Sequence, residues 1–270
     1  MTRNIALPIF CAAALVGCYA PVLAGLVRQW SGDPDMSHGF LVLPVAGWIA
    51  WRRRAELRAI QPAPNWWGFG MAACGAAQML LGTLAAQVLV ARAAFLVSVT
   101  GAILFLGGAR ALRILAFPLG MLLFLFPLPA MLYARITLPL QILSSWSAES
   151  ILSGIGIPVL REGNILELPH ARLSVVEACS GIRSLLSMGF LALVYGYFFD
   201  RRASVRGVLL AATVPIAIAA NAVRVALMGI LGGGFHLLEG WAMFAAAFAM
   251  LVGIHRCSRR ALRQGWFAPR

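Results

Sequence analysis

Residues 207–231 read GVLLAATVPIAIAANAVRVALMGIL, a run with a single charged side chain, Arg224. As an α-helix this run would extend about 37 Å, more than the roughly 30 Å hydrocarbon core of a bilayer. The whole chain of 270 residues is 61% hydrophobic and 11% charged, with a mean hydropathy of +0.86. A soluble core could not hide that much apolar surface from water. The sequence therefore predicts an all-α polytopic membrane protein and excludes a soluble enzyme, a disordered chain and a DNA-binding domain.

Further apolar runs bounded by charges predict about eight transmembrane helices. They lie at residues 5–27, 37–51, 67–90, 93–108, 114–133, 180–199, 207–231 and 237–254. No internal repeat or second domain stands out, so residues 1–270 are predicted to form a single integral membrane domain.

The Arg residues set the predicted orientation. All 22 basic residues are Arg, and with a cytoplasmic N-terminus 15 of them fall on the cytoplasmic side and five on the outer side. This positive-inside bias places both termini in the cytoplasm and explains the net charge of +13 without a nucleic-acid partner. Residues 15–18 (LVGC) resemble a lipoprotein cleavage box, so lipid modification of Cys18 is left open.

Residues 134–179 form the one sizeable segment outside the predicted spans, on the outer face. Its first part, residues 136–157, is mildly amphipathic, which predicts a small helix at the membrane interface. Residues 159–168 then alternate apolar and polar side chains around Gly163-Asn164, and a further short apolar run follows. This pattern predicts a small β-hairpin or ribbon before the sixth span.

The densest polar group, EACSGIRS at residues 177–184, lies where this outer segment meets the sixth span. Cys179 and Arg183 are four residues apart, so on a helix they share a face. A nearby guanidinium and a helix N-terminus both favour the thiolate, which is the nucleophilic form of cysteine. The alternative is a small buried cysteine that caps a helix.

Three further residues are candidates for the same site. Arg224, three residues after Asn221 in the seventh span, is costly to place in lipid and is therefore functional by default, although a structural ion pair is the alternative. His236 follows a glycine run and can act as a general base near neutral pH, or be a bystander. His38 in the first outer loop either lines the same pocket or caps the second span.

Neither a cofactor nor a metal is expected from the sequence. It contains no phosphate-binding glycine loop, no His-Glu-x-x-His motif and no cysteine framework. The remaining histidines, His170 and His255, are expected to be surface residues.

Taken in order, these blocks resemble the signature motifs of the exosortase/archaeosortase family. The blocks are Glu177 to Arg183, Asn221 to Arg224, and His236 after its Gly-rich turn. Residues 30–54 and 162–165 are also similar to that family. The resemblance implies an integral membrane cysteine protease or transpeptidase in the bacterial inner membrane, with its active site on the periplasmic face.

The resemblance also implies substrates and roles. Substrates would be exported proteins of exopolysaccharide-producing bacteria that end in a Pro-Glu-Pro type (PEP-CTERM) motif, a transmembrane helix and a basic tail. Cys179 would be the nucleophile, His236 the general acid/base, and Arg224 the group that stabilises the thiolate or the oxyanion. Substrate binding or support of the site would come from Glu177, Arg183, Asn221 and His38.

Two other functions are open at this point. In a transporter, Arg224 and Asn221 would line a substrate pathway, although the paired broken helices of two related halves are not evident. A non-catalytic subunit of exopolysaccharide export is the third possibility. The sequence leaves the acyl acceptor open between water and an amine, and it leaves the oligomeric state open.

Overall fold

The computed structural model describes residues 6–61, 63–169, 171–175, 181–231 and 236–263. These residues form ten α-helices, two short 3₁₀ helices and one three-stranded sheet. The chain divides into two compact units, Met1–Pro129 and Ala130–Arg270. The helical architecture with one small sheet confirms the predicted fold class, and the single-domain assignment stays a prediction.

The first unit holds α1 to α6 and the second holds α7 to α10 with the sheet. The helices are α1 (Ala6–Cys18), α2 (Ala20–Gly32), α3 (Gly39–Arg52), α4 (Arg54–Ala59), α5 (Trp66–Leu84), α6 (Val88–Met121), α7 (Ala130–Gly154), α8 (Ile182–Phe199), α9 (Ala203–Leu231) and α10 (His236–Arg263). The strands are β1 (Leu160–Glu162), β2 (Ile165–Leu168) and β3 (Ala171–Ser174), and the 3₁₀ helices are Pro34–Met36 and Leu122–Leu125.

The first predicted span, residues 5–27, is broken rather than continuous. The axes of α1 and α2 meet at 66° beside Tyr19. Pro21 in the first turn of α2 has no N–H to donate back into α1. The Tyr19 hydroxyl lies 2.7 Å from Ser98 Oγ on α6 and 3.1 Å from the Gly75 carbonyl oxygen on α5. The break is therefore held by contacts with residues far along the chain.

The α5 and α6 helices approach each other closely through glycine. Gly68, Gly75 and Gly82 recur every seven residues on the buried face of α5. A Cβ added at Gly68 would overlap the backbone nitrogen of Phe105, and one at Gly75 would overlap Ser98 Oγ. Helices in lipid gain little from the hydrophobic effect on association, so close backbone packing of this kind stabilises the pair.

The α6 helix contains a break at Gly108, whose φ of 69° and ψ of −175° are not helical. Glycine adopts this conformation without the steric cost of a side chain. The break falls at the end of the fourth predicted span, residues 93–108. The fifth predicted span, residues 114–133, extends past the end of this helix. α6 stops at Met121, a 3₁₀ helix follows to Leu125, and residues 127–129 are not helical.

Four described helices are long and apolar enough to cross a membrane, and the bent α1–α2 pair makes a fifth if it counts as one span. The four are Val88–Leu125, Ile182–Phe199, Ala203–Leu231 and Gly240–Ala261. α3 has 14 residues and thus extends about 21 Å, less than the hydrocarbon core. A multi-pass membrane protein is confirmed, whereas eight spans and cytoplasmic termini stay predictions.

The helix expected at residues 136–157 is present as α7, but its polarity is the reverse of that of an interfacial helix. Its buried polar residues are Thr137, Gln141, Ser144 and Ser145, and its exposed apolar residues include Leu138, Ile142, Leu143 and Trp146. A helix that lies on a membrane surface turns its polar face to water. α7 instead turns its polar face into the protein, where Ser144 and Gln141 find hydrogen-bond partners.

The predicted β-hairpin is confirmed, and a third strand extends it. The three strands form an antiparallel sheet in the order β1-β2-β3. β1 and β2 are joined at Gly163-Asn164, where Gly163 has a φ of 64°. Leu166 and Leu168 point from β2 into a buried cluster with Leu152 of α7. The sheet is therefore fixed to the helices of the second unit.

A buried polar cluster joins the C-terminal end of α8 to α10. His255, 4% exposed, places Nδ1 2.8 Å from the Tyr195 hydroxyl and Nε2 3.3 Å from Asp200 Oδ2. Burial raises the pKa of Asp200, but hydrogen bonds from the Arg202 N–H and His255, with the charges of His255 and Arg259, outweigh it and hold the pKa below its usual value. The expectation that His255 is a surface residue is wrong, and His170 lies outside the described residues.

Candidate functional site

Asn221 and Arg224 lie on one face of α9, as their spacing predicts, and both line a cleft between α8, α9 and α10. The cleft is partly open and narrow, with room for about one water molecule. Asn221 is buried and Arg224 is half-buried. The cationic side chain is therefore held in the protein interior, where the high cost of placing it in lipid is avoided.

A hydrogen bond from α7 fixes Asn221. Its Nδ2 donates to Ser144 Oγ over 2.9 Å, and both residues are buried. Sequence reasoning did not select Ser144. The available signal was the spacing of Thr137, Gln141 and Ser144, which puts three polar residues on one face of the helix.

The start of α8 packs directly on Asn221. Gly181, the N-cap of α8, has a φ of 81°, a left-handed conformation that favours glycine. A Cβ at Gly181 would also lie 3.1 Å from Asn221 Cβ, which is tighter than ordinary contact. Glycine is thus required here for two reasons, and the first turn of α8 is fixed next to α9.

The end of the sheet is also attached to α9, the helix that carries Asn221. Asn164 Nδ2 donates to the Val175 carbonyl oxygen over 3.0 Å and to Gln141 Oε1 over 3.4 Å, and the Val175 N–H donates to the Asn164 carbonyl over 2.8 Å. Val175 belongs to a buried cluster that includes Val225 and Ala226 of α9. The described chain before residue 176 therefore ends against α9.

Residues 176–180 lie between these two attachments, and the predicted site residues Glu177 and Cys179 lie outside the described residues. On one side Val175 packs with Val225, and on the other Gly181 packs on Asn221. Arg224 lies between those two α9 positions in the sequence.

The other predicted residues are distributed as follows. Arg183 is half-buried in the first turn of α8, and its neighbour Ser184, which sequence reasoning did not select, lines the cleft. His236 is the first residue of α10, and Gly240, one turn later, also lines the cleft.

His38 belongs to the first unit. It is buried at 5% exposure, and its Nδ1 donates to the Asp35 carbonyl oxygen over 3.1 Å. This bond holds the 3₁₀ helix Pro34–Met36 against the start of α3. A structural reason for His38 is thus present, and its part in a site stays a prediction.

The chemistry of the cleft is cationic at one end. Arg224 is joined there by the N-terminal turn of α8, whose helix dipole favours negative charge. Such an arrangement stabilises a thiolate, a carboxylate or an oxyanion. In the part of the chain that the structure describes, no group of three or more His, Cys, Asp or Glu residues could hold a metal ion.

Fold and cleft together define a multi-pass membrane protein with a cationic site among three helices. The chain belongs to the transmembrane exosortase family (Exosortase_EpsH), whose match covers residues 30–253. This confirms the family resemblance of the sequence blocks. The family generally comprises cysteine peptidases or transpeptidases, and its substrates are exported proteins with sorting signals. Neither the curated proteins nor the solved structures provide a match.

Proposed function

We propose that the protein is a membrane cysteine peptidase or transpeptidase that cleaves the C-terminal sorting signals of exported proteins through Cys179, Arg224 and His236. One observation carries this proposal: the described chain on both sides of residues 176–180 is attached to α9 around Arg224. Cys179 precedes Gly181 by two residues, so covalent geometry keeps their Cα atoms within about 7–8 Å. This short connection supports a role for Cys179 at the cationic end of the cleft.

The position of His236 supports the same site. It opens α10, and helix periodicity puts it on the same side of that helix as Gly240, which lines the cleft with Arg224. Asn221 of α9 and Arg183 in the first turn of α8 would support the site, and Glu177 would join them from the segment that carries Cys179.

The proposed reaction proceeds through an acyl-enzyme. The Cys179 thiolate attacks the scissile carbonyl carbon, and Arg224 stabilises the negative charge on the carbonyl oxygen of the tetrahedral intermediate. As the C–N bond breaks, His236 donates a proton to the leaving amine. Water or an acceptor amine then attacks the thioester, His236 takes up its proton, and the Cys179 sulfur leaves as the thiolate.

The proposed substrate is an exported protein with a PEP-CTERM-type motif followed by a transmembrane helix and a basic tail. Its helix would enter the site laterally from lipid, leaving the motif at the outer surface of the bacterial inner membrane. Arg side chains near the site would pair with a carboxylate of the motif. This arrangement fits a cleft whose polar end is lined by Ser184, Asn221 and Arg224.

The test is Cys179→Ala in the native host, with C-terminal trimming of such proteins followed by mass spectrometry. We expect uncleaved precursor to accumulate and the trimming rate to fall by at least about 10³-fold, because loss of a nucleophile removes the covalent pathway. Cys74→Ala is the matched control, since Cys74 is exposed on α5, and it should trim normally.

Unchanged trimming by Cys179→Ala would remove the cysteine-nucleophile assignment. A transporter would tolerate this change but lose uptake when Arg224 is replaced, and a non-catalytic export subunit would leave trimming intact in both variants. His236→Ala should block turnover while the protein still inserts and accumulates.

A further inference from the structure

Two adjacent residues of α2 fix the path of α6. Gln29 Oε1 accepts a hydrogen bond from the Arg92 guanidinium, and the Trp30 indole N–H donates to the Leu125 carbonyl oxygen over 3.2 Å. In a straight helix Arg92 and Leu125 would lie about 50 Å apart. The Cα atoms of Gln29 and Trp30 are only about 3.8 Å apart, and their side chains cannot bridge the difference. The chain therefore folds back between Arg92 and Leu125.

The reversal lies at Gly108, where φ is 69°. A Cβ added at Gly107 would lie 2.5 Å from the Ala111 Cβ, whereas residues four apart in a regular helix have Cβ atoms about 5–6 Å apart. The Asn65 N–H, one residue before α5, donates to the Phe105 carbonyl oxygen over 3.3 Å. α6 therefore consists of two arms, residues 88–107 and 109–121, which are joined beside the start of α5.

The second arm of α6 runs antiparallel to α3. The His38 ring, just before α3, lies 6.4 Å from the Phe124 ring in the 3₁₀ helix after α6. α3 packs against that 3₁₀ helix and against α6, and α4, which follows α3, also contacts α6. Arg52 follows His38 by 14 residues, and Arg110 precedes Phe124 by 14 residues. The end of α3 and the reversal at Gly108 thus lie at the same end of the first unit.

This end of the first unit carries exposed tryptophan and arginine side chains. Trp51 near the end of α3 is 62% exposed, and Trp67 in the first turn of α5 is 83% exposed. The Arg54 guanidinium lies 4.8 Å from the centroid of the Trp51 ring. Tryptophan is enriched at the level of the lipid headgroups, because its ring is amphipathic. We call the following exposed residues the Trp–Arg surface: Trp51, Arg54, Arg58, Trp67, Arg110 and Arg113.

The charge of the Trp–Arg surface is not balanced by the protein. Residues 39–121 contain a single carboxylate, that of Glu56, which pairs with Arg53 over 2.9 Å. Within the ranges that the structure describes, none of the four arginines of this surface forms an ion pair with a carboxylate. Arginine binds phosphate with a bidentate geometry. A partner that offers phosphate and also accepts tryptophan rings is a phospholipid at the membrane surface.

We propose that the reversal of α6 at Gly108 assembles the Trp–Arg surface, and that this surface binds the headgroups of anionic phospholipids. The guanidinium groups pair with lipid phosphates, and Trp51 and Trp67 lie at the boundary between headgroups and acyl chains. Val88–Leu125, which is long enough to serve as one span, then crosses the membrane twice. This inference does not depend on the proposed cysteine chemistry.

The first experiment tests the reversal by cysteine labelling. Gln87→Cys before α6, Arg110→Cys after the reversal and Pro129→Cys beyond α6 are made singly in a chain whose five native cysteines are replaced by alanine. A membrane-impermeant maleimide is added to sealed vesicles, either inverted or right-side-out. We expect positions 87 and 129 to label from one side of the membrane and position 110 to label from the other.

A chain that retains only Cys74, which is exposed in the middle of α5, is the control and should label only after detergent is added. Labelling of positions 87 and 129 from opposite sides would mean that α6 crosses the membrane once, and it would overturn the reversal. Labelling of position 110 from the same side as position 87 would overturn it as well.

The second experiment measures lipid binding by the full chain with its native cysteines. The purified protein in detergent is titrated with phosphatidylglycerol or phosphatidylcholine, and bound lipid is counted by native mass spectrometry. We expect phosphatidylglycerol to bind more tightly. The double variant Arg110→Gln/Arg113→Gln should weaken its binding roughly 25-fold, because each basic side chain near an anionic surface contributes about fivefold.

The double variant Arg28→Gln/Arg135→Gln is the matched control. It removes the same charge from two exposed positions outside the Trp–Arg surface and should keep the wild-type affinity for phosphatidylglycerol. Equal losses in the two double variants would mean that net charge attracts the lipid, and they would overturn the assignment of this surface. Equal binding of the two lipids by the wild-type protein would overturn it too.

Discussion

Two helix interfaces in the molecule are built in opposite ways. In the first unit, α5 and α6 meet through glycines that bring the two backbones together, with Gly68 against Phe105. In the second unit, α7 meets α9 through buried polar side chains, with Ser144 bonded to Asn221. α6 and α9 are long and apolar enough to cross a membrane. Because helices in lipid cannot rely on the hydrophobic effect to associate, each needs other contacts with its partner.

The difference shows which kind of helix interface can carry a functional site. A glycine interface presents almost no side-chain functional groups, so it serves packing. A polar interface must satisfy its hydrogen bonds in a region where unpaired groups are costly. Here the interface holds the side chain of Asn221, which lies three residues before Arg224 on α9. The polar interface is therefore where a site is expected, and each interface predicts a different response to mutation.

The largest expected effect comes from breaking the glycine interface. Gly68→Leu should destabilise the protein by more than about 4 kcal/mol or prevent its accumulation, because overpacking here meets backbone rather than a movable side chain. Accumulation and thermal unfolding in detergent are the measurements. Gly70→Leu, on the same helix with open space around its Cβ position, should be tolerated. Equal stability of the two variants would contradict the close packing.

A smaller effect is expected at the Asp200 cluster, a polar contact remote from the cleft. Asp200→Asn should cost about 1–3 kcal/mol at pH 7, because it replaces a carboxylate that accepts hydrogen bonds from the Arg202 N–H and His255. The folded-state pKa of Asp200 is lowered, so its stabilisation is present above the ordinary carboxyl pKa and is lost as pH falls through the lower folded value. The difference from wild type should therefore shrink in acid.

Thermal unfolding of both proteins at several pH values below 7 checks this prediction. Glu56→Gln is the control, since Glu56 pairs with Arg53 at the surface and such pairs contribute little. A constant difference between wild type and Asp200→Asn down to strongly acidic pH would argue against the carboxylate as the cause.

The smallest effect sharpens the polar interface itself. A double-mutant cycle of Ser144→Ala and Asn221→Ala should give a coupling of about 0.6–1.7 kcal/mol, the range for interhelical hydrogen bonds in membranes. Ser150→Ala on the exposed side of α7 should couple to neither. A coupling near zero would mean that the Ser144–Asn221 contact does not hold the two helices.

The reversed polarity of α7 shows what sequence reasoning could not reach. Its periodicity reveals a polar face at Gln141 and Ser144, but periodicity alone does not say whether water or protein covers that face. Protein covers that face: Asn221 bonds to Ser144 from 77 residues away in the chain, and Asn164 bonds to Gln141 from 23 residues away. The expectation that His255 lies at the surface was wrong for the same reason, because its partner Tyr195 lies in α8 and its partner Asp200 follows the last residue of that helix.

The sequence by itself determined the membrane class, the hairpin at Gly163-Asn164 and the family, because apolar run length, turn chemistry and motif order are local properties. The tertiary structure alone decided the break at Tyr19, the burial of His255 and the packing of Val175 and Gly181 against α9. Those features depend on contacts between residues distant in sequence. The free energy of burying a polar group depends on what pairs with it there.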